Sequence, residues 1–431
     1  MLKSLSVRPL IAGVAALTVL APMASTAHAA PATAQVDRVV VNPREDASTG
    51  MSVSFRAPGA VGEVEYAAPG GELVRVPAGL VLSRLGGGAE PIMPPGPLPV
   101  AEHFAAHLTG LQPATTYTYR PIVDGVPGEW AEFTTASATS EPFSFVYYGD
   151  AQTHLDSVWP KVAARALEHS PDAALTVHSG DQIDNPHADV EWHDFFAGMQ
   201  GTMATRPSIV APGNHELMLD PFAYLHRAHF EFPNNGVDGL PDTTFFNDYQ
   251  GVRFITLHVN YIRLGEQAAW LDRVLADNPH QWAVVNFHEP VWNATSRRDE
   301  PFHRDAFRGV IEKHNVDLVL TGHDHAYARG HQAGNPNGPA YAVTVAGGKY
   351  YDVDLAGDPW SLSGGKRVVG AGGISTFQRI DVDGCRMDYT SIIGHVSEKA
   401  TQPATEGDVL DAFSIDKCDG DKKVIETRPG A

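Results

Sequence analysis

Leu318-Val-Leu-Thr-Gly-His-Asp-His325 joins a short apolar run to a glycine and then to two histidines one residue apart. The run has the length and texture of a buried strand, and Thr321-Gly322 breaks it where the chain would leave a sheet. Two imidazoles placed there reach one site from adjacent points of a loop. Neutral imidazole is the commonest metal-coordinating side chain, and the glycine lets the backbone turn sharply towards a cation. A lone His-x-His in a loop is more often solvent-exposed than metal-bound, so the meaning of this pair depends on its company.

Four more strand-like runs end in the same way. Phe145-Val-Tyr-Tyr-Gly-Asp150 and Leu175-Thr-Val-His-Ser-Gly-Asp181 each deliver a carboxylate, Ile209-Val-Ala-Pro-Gly-Asn214-His215-Glu216 an amide beside a histidine, and Trp282-Ala-Val-Val-Asn-Phe-His288 an imidazole. In open α/β sheets ligands gather beyond the carboxyl ends of the strands, so all five ends are expected to face one crevice. Asp150, Asp181, Asn214, His288, His323 and His325 are oxygen and nitrogen donors suited to Zn, Mn or Fe rather than to a thiolate-seeking metal. Six ligands exceed what one catalytic ion with an open position needs. They suit two ions about 3.5–4 Å apart that share a carboxylate. Each block also has a bland reading: a Gly-Asp turn, a helix cap at Asn214, a hydrogen-bonded core histidine at His288. Their recurrence in order, each at a strand end, is what speaks for a site.

Around these blocks the texture is α/β. Helical periodicity runs over Ser157 to His169, Glu266 to Asp277 and Arg304 to His314, and hairpins are expected over 244–257 and over 376–393 about Asp383-Gly384. Residues 142–396 form this domain, as two mixed sheets covered by helices. Residues 36–136 read instead as short alternating strands of a β-sandwich. Met51, Val53 and Phe55 lie on one strand face there, and Trp130 and Phe133 mark the last strand. The tail, 397–431, is polar and irregular apart from an edge strand over Val409 to Ile415.

Residues 1–30 carry Lys3 and Arg8, an apolar run and Ala27-His28-Ala29, the pattern of a signal peptide for secretion, extracellular or periplasmic. No later stretch is apolar for long enough to cross a bilayer. The formal charge of −20 disfavours nucleic acid as a regular partner and permits small phosphorylated substrates. Cys385 and Cys418 are the only cysteines and are expected to pair in an oxidising compartment, tying the tail down.

The five ordered blocks resemble those of the calcineurin-like metallophosphoesterases, and with the β-sandwich in front the chain most resembles bacterial purple acid phosphatase-like proteins. The resemblance implies a four-layer αββα sandwich preceded by a fibronectin type III-like domain; Leu111-Gln-Pro-Ala-Thr-Thr-Tyr117-Thr-Tyr119 looks like a late-strand lead-in of that domain. It implies two transition-metal ions, divalent or trivalent (Fe, Mn or Zn). Asp181 would bridge them, Asp150 and His325 would complete the first site, and Asn214, His288 and His323 the second. His215 would lie over the substrate as proton donor or phosphate contact. The implied activity is hydrolysis of phosphomonoesters by a metal-bound hydroxide, with a phosphodiesterase or a non-catalytic secreted binding module as the alternatives. Purple acid phosphatases carry a colour-giving tyrosine three residues after the bridging aspartate; here that position is Asp184. Gln152 stands where many non-purple relatives have a ligating histidine, and Arg297-Arg298 where purple phosphatases have phosphate-contacting histidines. One of these arginines is expected to grip the substrate phosphate.

Overall fold

The computed structural model describes residues 33–82, 101–295, 298–353 and 359–428; the expected signal peptide and Arg297 lie outside them. Three sheets organise the chain. The first is antiparallel and runs Asp37–Pro43, Gly50–Ala57, Glu102–Thr109, Val74–Leu82, Gly62–Ala67, Thr116–Val123 and Val126–Pro127, with Ala131–Thr134 also paired to Thr116–Val123. Val74–Leu82 serves both halves, pairing first with Gly62–Ala67 and then with Glu102–Thr109. The sheet thus folds over a core that includes Val53, Phe55, Val64, Phe104, Tyr117 and Phe133.

Two expectations for this part need adjustment. Trp130 precedes the last strand and is half exposed, because the Arg120 guanidinium lies 4.2 Å over its ring and serves it as a lid. Gly50–Ala57 does not alternate between core and solvent: Ser52 and Ser54 are as buried as Met51, Val53 and Phe55. The serine face meets the helix Tyr224–His229, and Arg44 reaches Ser52 Oγ at 3.3 Å. Further bonds tie the front sheet to the α/β part of the chain. Asn42 donates to the Ser208 carbonyl (2.7 Å), Tyr119 to the Ala204 carbonyl (2.7 Å), and Asp189 accepts from both Arg38 and Arg56.

The other two sheets have seven strands each. One runs Ser208–Ala211, Leu175–Ser179, Phe143–Tyr148, Ile374–Asp383, Arg386–Val396, Val409–Asp416, Lys423–Glu426; its first three strands are parallel. The other runs Phe245–Tyr249, Val252–Thr256, Trp282–Asn286, Leu318–Thr321, Ala340–Val343, Tyr327–Gln332, Gly365–Ala371. They pack face to face, with the Phe145 and Phe254 rings 5.2 Å apart. In the second sheet successive residues serve opposite faces. Val284, Leu318 and Leu320 join the core between the sheets, while Val285 and Val319 join an outer core under the helices Leu264–Ala276 and Pro301–Lys313. Burial on both faces explains why these strands read as unbroken apolar runs. The helix Trp159–His169 covers the outer side of the first of these sheets.

Both expected hairpins form, as Phe245–Tyr249 with Val252–Thr256 and as Ile374–Asp383 with Arg386–Val396. The helices Asp189–Gly198 and Tyr224–His229 have no clear periodicity in the sequence and are additions to the expected set. The tail is more ordered than its polarity suggests. Val409–Asp416 is not an edge strand, because Lys423–Glu426 pairs outside it. Arg329 makes the polar addition possible: its guanidinium meets buried Asp411 at 2.6 Å and Glu426 at 2.8 Å. Cys385 and Cys418, 33 residues apart with Cα atoms separated by 5.0 Å, are joined in a disulfide at the base of this strand pair. Among the described residues no helix is long and apolar enough to cross a membrane.

His178 shows how tightly the interior is closed. It lies on the strand Leu175–Ser179 among Tyr148, Trp159 and Phe195, with ring centroids 5.1–6.4 Å away, and burial alone lowers its pKa from 6.5 to about 3. Between those two values the unfolded chain binds a proton that the folded imidazole refuses, so stability falls as pH falls through this window. At pH 5 the loss from this group amounts to about 2 kcal/mol relative to pH 7. His178→Phe is therefore expected to shrink the drop in urea midpoint between pH 7 and pH 5. An undiminished drop would mean that the imidazole takes no part in the acid sensitivity.

Candidate metal centre

The five strand ends converge. Asp150, Asp181 and Asn214 follow the three parallel strands of one sheet, and His288, His323 and His325 follow two adjacent parallel strands of the other. A polar bridge joins the sheets just below: Ser179 Oγ donates to Asn286 Oδ1 (2.6 Å), and Asn286 Nδ2 donates to the His178 carbonyl (3.0 Å). The loops beyond are bent where few side chains are tolerated. Asp181, His323 and His325 have φ of 51°, 73° and 45°, strain that a rigid surround must hold. The glycines before Asn214 and His323 leave room for neighbouring carboxylates. A Cβ on Gly322 would stand 2.1 Å from Asp150 Oδ1, and one on Gly213 would stand 2.1 Å from Asp181 Oδ1.

Two overlapping groups result, one of Asp150, Asp181 and His325, the other of Asp181, His288 and His323, each with its donor atoms within 4.8 Å of one another. Asp181 belongs to both. Asn214 completes the second group, its Oδ1 lying 3.1 Å from His288 Nε2 and 2.9 Å from His323 Nδ1. His288 Nε2 is 3.0 Å from Asp181 Oδ2 and 3.1 Å from His323 Nδ1. All six positions singled out in the sequence are thus neighbours.

These residues fit a pair of cations. His288 Nδ1 donates to the Ser179 carbonyl (2.8 Å), which leaves the Nε2 lone pair facing the group. His323 faces it with Nδ1, while its Nε2 lies 3.5 Å from the Glu300 carboxylate, beside the Arg298 guanidinium. Asp150 Oδ2 and Gln152 Oε1 are buried without a hydrogen-bond partner, acceptors that water cannot reach. The electrostatics agree. Burial raises the Asp150 pKa to about 7, with neighbouring Asp181 adding to the rise against the pull of His288. Burial opposes the charge of His288, yet Asp181 and Asp150 hold it well above the imidazole range. Without an ion, the cluster draws a proton to where positive charge is wanted.

The remaining expected residues divide. His215 stands at the open side, its Nδ1 donating to the Asp184 carbonyl (2.6 Å) and its Nε2 4.0 Å from Asp181 Oδ2. Gln152 is fully buried, its amide nitrogen 3.0 Å from both Asp181 Oδ2 and His325 Nε2, so it touches two of the three members of the first group. The Asp184 carboxylate is exposed, belongs to neither group and lies 3.4 Å from His215 Nδ1. Neither Tyr147 nor Tyr148 takes the missing phenol's place. Tyr147 donates to the Thr321 carbonyl, and Tyr148 packs against Trp159. Arg298 borders the group, donating to the His323 carbonyl (3.1 Å) and lying 3.5 Å from Asp324.

Two acids within the ligand-bearing blocks of the sequence, Glu216 and Asp324, receive roles only from the structure. Asp324 is buried and accepts from the Asn293 side chain and the Ala294 and Thr295 amides, fixing the loop that leads to Arg298. Glu216 is also buried and receives the backbone N–H groups of Asp181, Gln182 and Gly213 at 2.6–2.9 Å, binding the Asp181 and Asn214 loops together. An acid within one or two residues of an expected ligand is the available signal. Glu216→Gln would turn an amide N–H2 towards these donors, at a cost of about 1–3 kcal/mol. Denaturant titration should show that loss together with weakened metal retention; parent-like values for both would remove Glu216 from this role.

Comparison with known proteins agrees with this geometry. Residues 145–327 match the calcineurin-like phosphoesterase family. An uncharacterized protein of Mycobacterium tuberculosis is 27% identical over 268 residues, 52% of this chain and 50% of the relative. Purple acid phosphatase 23 of Arabidopsis thaliana is 26% identical over 297 residues, 58% of this chain and 64% of the relative. The chain thus spans about half to two thirds of the curated relatives it matches. Among solved structures, purple acid phosphatase PPD1 from yellow lupin (Lupinus luteus) seeds superposes with a TM-score of 0.70 at 17% identity, over 89% of this chain and 74% of that one. PhoD superposes with a TM-score of 0.63 at 13% identity, over 91% and 92%. At such identities the superpositions speak for the fold. By its ordered ligand blocks, their convergence and these matches, the chain carries a domain of the calcineurin-like metallophosphoesterase superfamily and resembles the purple acid phosphatases.

Proposed function

We propose that the protein is an exported phosphatase that hydrolyses phosphomonoesters at a two-metal centre of Fe, Mn or Zn. The observation that carries this reading is the pair of buried donor groups sharing Asp181. Asp181 would bridge, Asp150 and His325 would hold one ion, and Asn214, His288 and His323 the other. Bound there, the cations supply Lewis acidity that sharpens water into a nucleophile and offsets charge on phosphoryl oxygens.

The chain's own residues do the rest. His215 donates through Nδ1 to the Asp184 carbonyl, so its Nε2 is the nitrogen turned to the centre and the one to pass a proton to the departing oxygen. The Asp184 carboxylate lies 3.4 Å from the same Nδ1. With Asp184 in place of a metal-binding phenolate, the protein is expected to be colourless. Arg298, at the open side beside His323, presents a fork suited to phosphoryl oxygens.

Export rests on the N-terminal pattern, and the Cys385–Cys418 disulfide supports an oxidising compartment. The front sheet is read as fibronectin type III-like, a reading supported by the Gln112 N–H donating to the Tyr117 hydroxyl (2.8 Å), a tie of the kind found at tyrosine corners.

Asp181→Asn tests the centre. The variant is expected to keep the parent circular dichroism, retain fewer than two metals per chain and lose roughly 1000-fold or more in turnover of an aryl phosphomonoester. Parent-like hydrolysis by the variant would place the chemistry elsewhere. A parent protein that prefers an aryl phosphodiester would overturn the monoester assignment.

A further inference from the structure

Beside the metal centre stands a cation, Lys349, that the hydrolytic chemistry does not use. The Tyr351 ring lies 4.8 Å from the His325 ring, edge to face, and the Tyr351 amide donates to the His325 carbonyl (3.2 Å). Two cations lie over that same phenol, the Arg298 guanidinium at 5.3 Å and the Lys349 ammonium at 5.8 Å. Arg298 is anchored by Asp324 and the His323 carbonyl. Lys349 differs: among the described residues no carboxylate pairs with it. An unpaired lysine next to a metal ligand is unexpected in a chain of net charge −20.

Lys349 also faces outward. It lines a surface groove of about 440 Å³ together with Thr153, His154, Tyr350 and Lys399; the acid in that lining, Glu398, is outnumbered by the two lysines. Lys349 therefore stands between the centre and a space with room for the remainder of a substrate. Gly348, just before it, is held against the loop after Gln152, its amide donating to the Thr153 carbonyl at 3.0 Å.

We infer that Lys349, over the same ring as Arg298, binds a second anionic group of the substrate, beyond the phosphoryl group that Arg298 faces. Favoured substrates then carry a phosphate or a comparable anion beyond the phosphoryl group that is removed. The inference rests on the phosphatase reading of the centre. Tyr351 acts as the positioning residue, holding both cations against the ligand His325.

The test uses the metal-loaded protein and two probes that differ by one anionic group, orthophosphate and methylenediphosphonate, titrated by calorimetry. The parent is expected to bind the diphosphonate about 10–100-fold more tightly, the range of one charge-assisted contact. In Lys349→Met the diphosphonate should lose roughly tenfold more affinity than orthophosphate does. Equal weakening of both probes, or a preference that survives the substitution, would overturn the inference. Turnover of an aryl phosphomonoester by the same preparation separates the two readings. Turnover with an unchanged preference in the variant removes the Lys349 assignment alone. Absent turnover with a Lys349-dependent preference removes the phosphatase and leaves an anion site.

Discussion

Lone pairs crowded out of water are the constraint on which this structure turns. Asp181 Oδ2, Asn214 Oδ1, His288 Nε2 and His323 Nδ1 form a chain of contacts at 2.9–3.1 Å, and too few protons are available to satisfy them all. Such a cluster is tolerable only around positive charge. Much of the surrounding architecture serves to keep it from relaxing: the Ser179–Asn286 bridge beneath, Glu216 gathering amides from two loops, and three ligands locked at positive φ.

The division of labour between the sheets comes from the same need. One sheet contributes oxygen donors from its parallel strands, and the other contributes nitrogen donors. A centre made in this way depends on the register between two independently hydrogen-bonded layers. The side chains that set that register, such as Phe145 against Phe254 between the sheets, therefore bear on ligand geometry as much as on stability.

The candidate ligands are legible in the sequence because each sits at or just beyond the same structural event, an apolar run stopped by glycine or a small turn. That event needs only a few consecutive residues to be recognised. The helices at Asp189–Gly198 and Tyr224–His229 are not legible, since their buried positions form no clear stripe and their helical state depends on packing against the front sheet and neighbouring helix. Lys423–Glu426 is hidden for a related reason. Its alternation is weak, and its place in the sheet depends on Arg329, almost a hundred residues earlier, neutralising Glu426. Lys349 and Tyr351 carry no local signal at all; their position beside His325 is a product of the fold.

The serine-bearing face of Gly50–Ala57 has a bearing on how such a protein can be rearranged. Because Ser52 and Ser54 are sealed beneath Tyr224–His229, and Asn42 and Tyr119 satisfy carbonyls of the other part, the front sheet is joined by a polar seam rather than hung on a tether. Cutting that seam would strand hydrogen-bonding groups on both sides. The N-terminal module is in this sense not portable: an exchange between relatives keeps the protein intact only when strand and helix travel together.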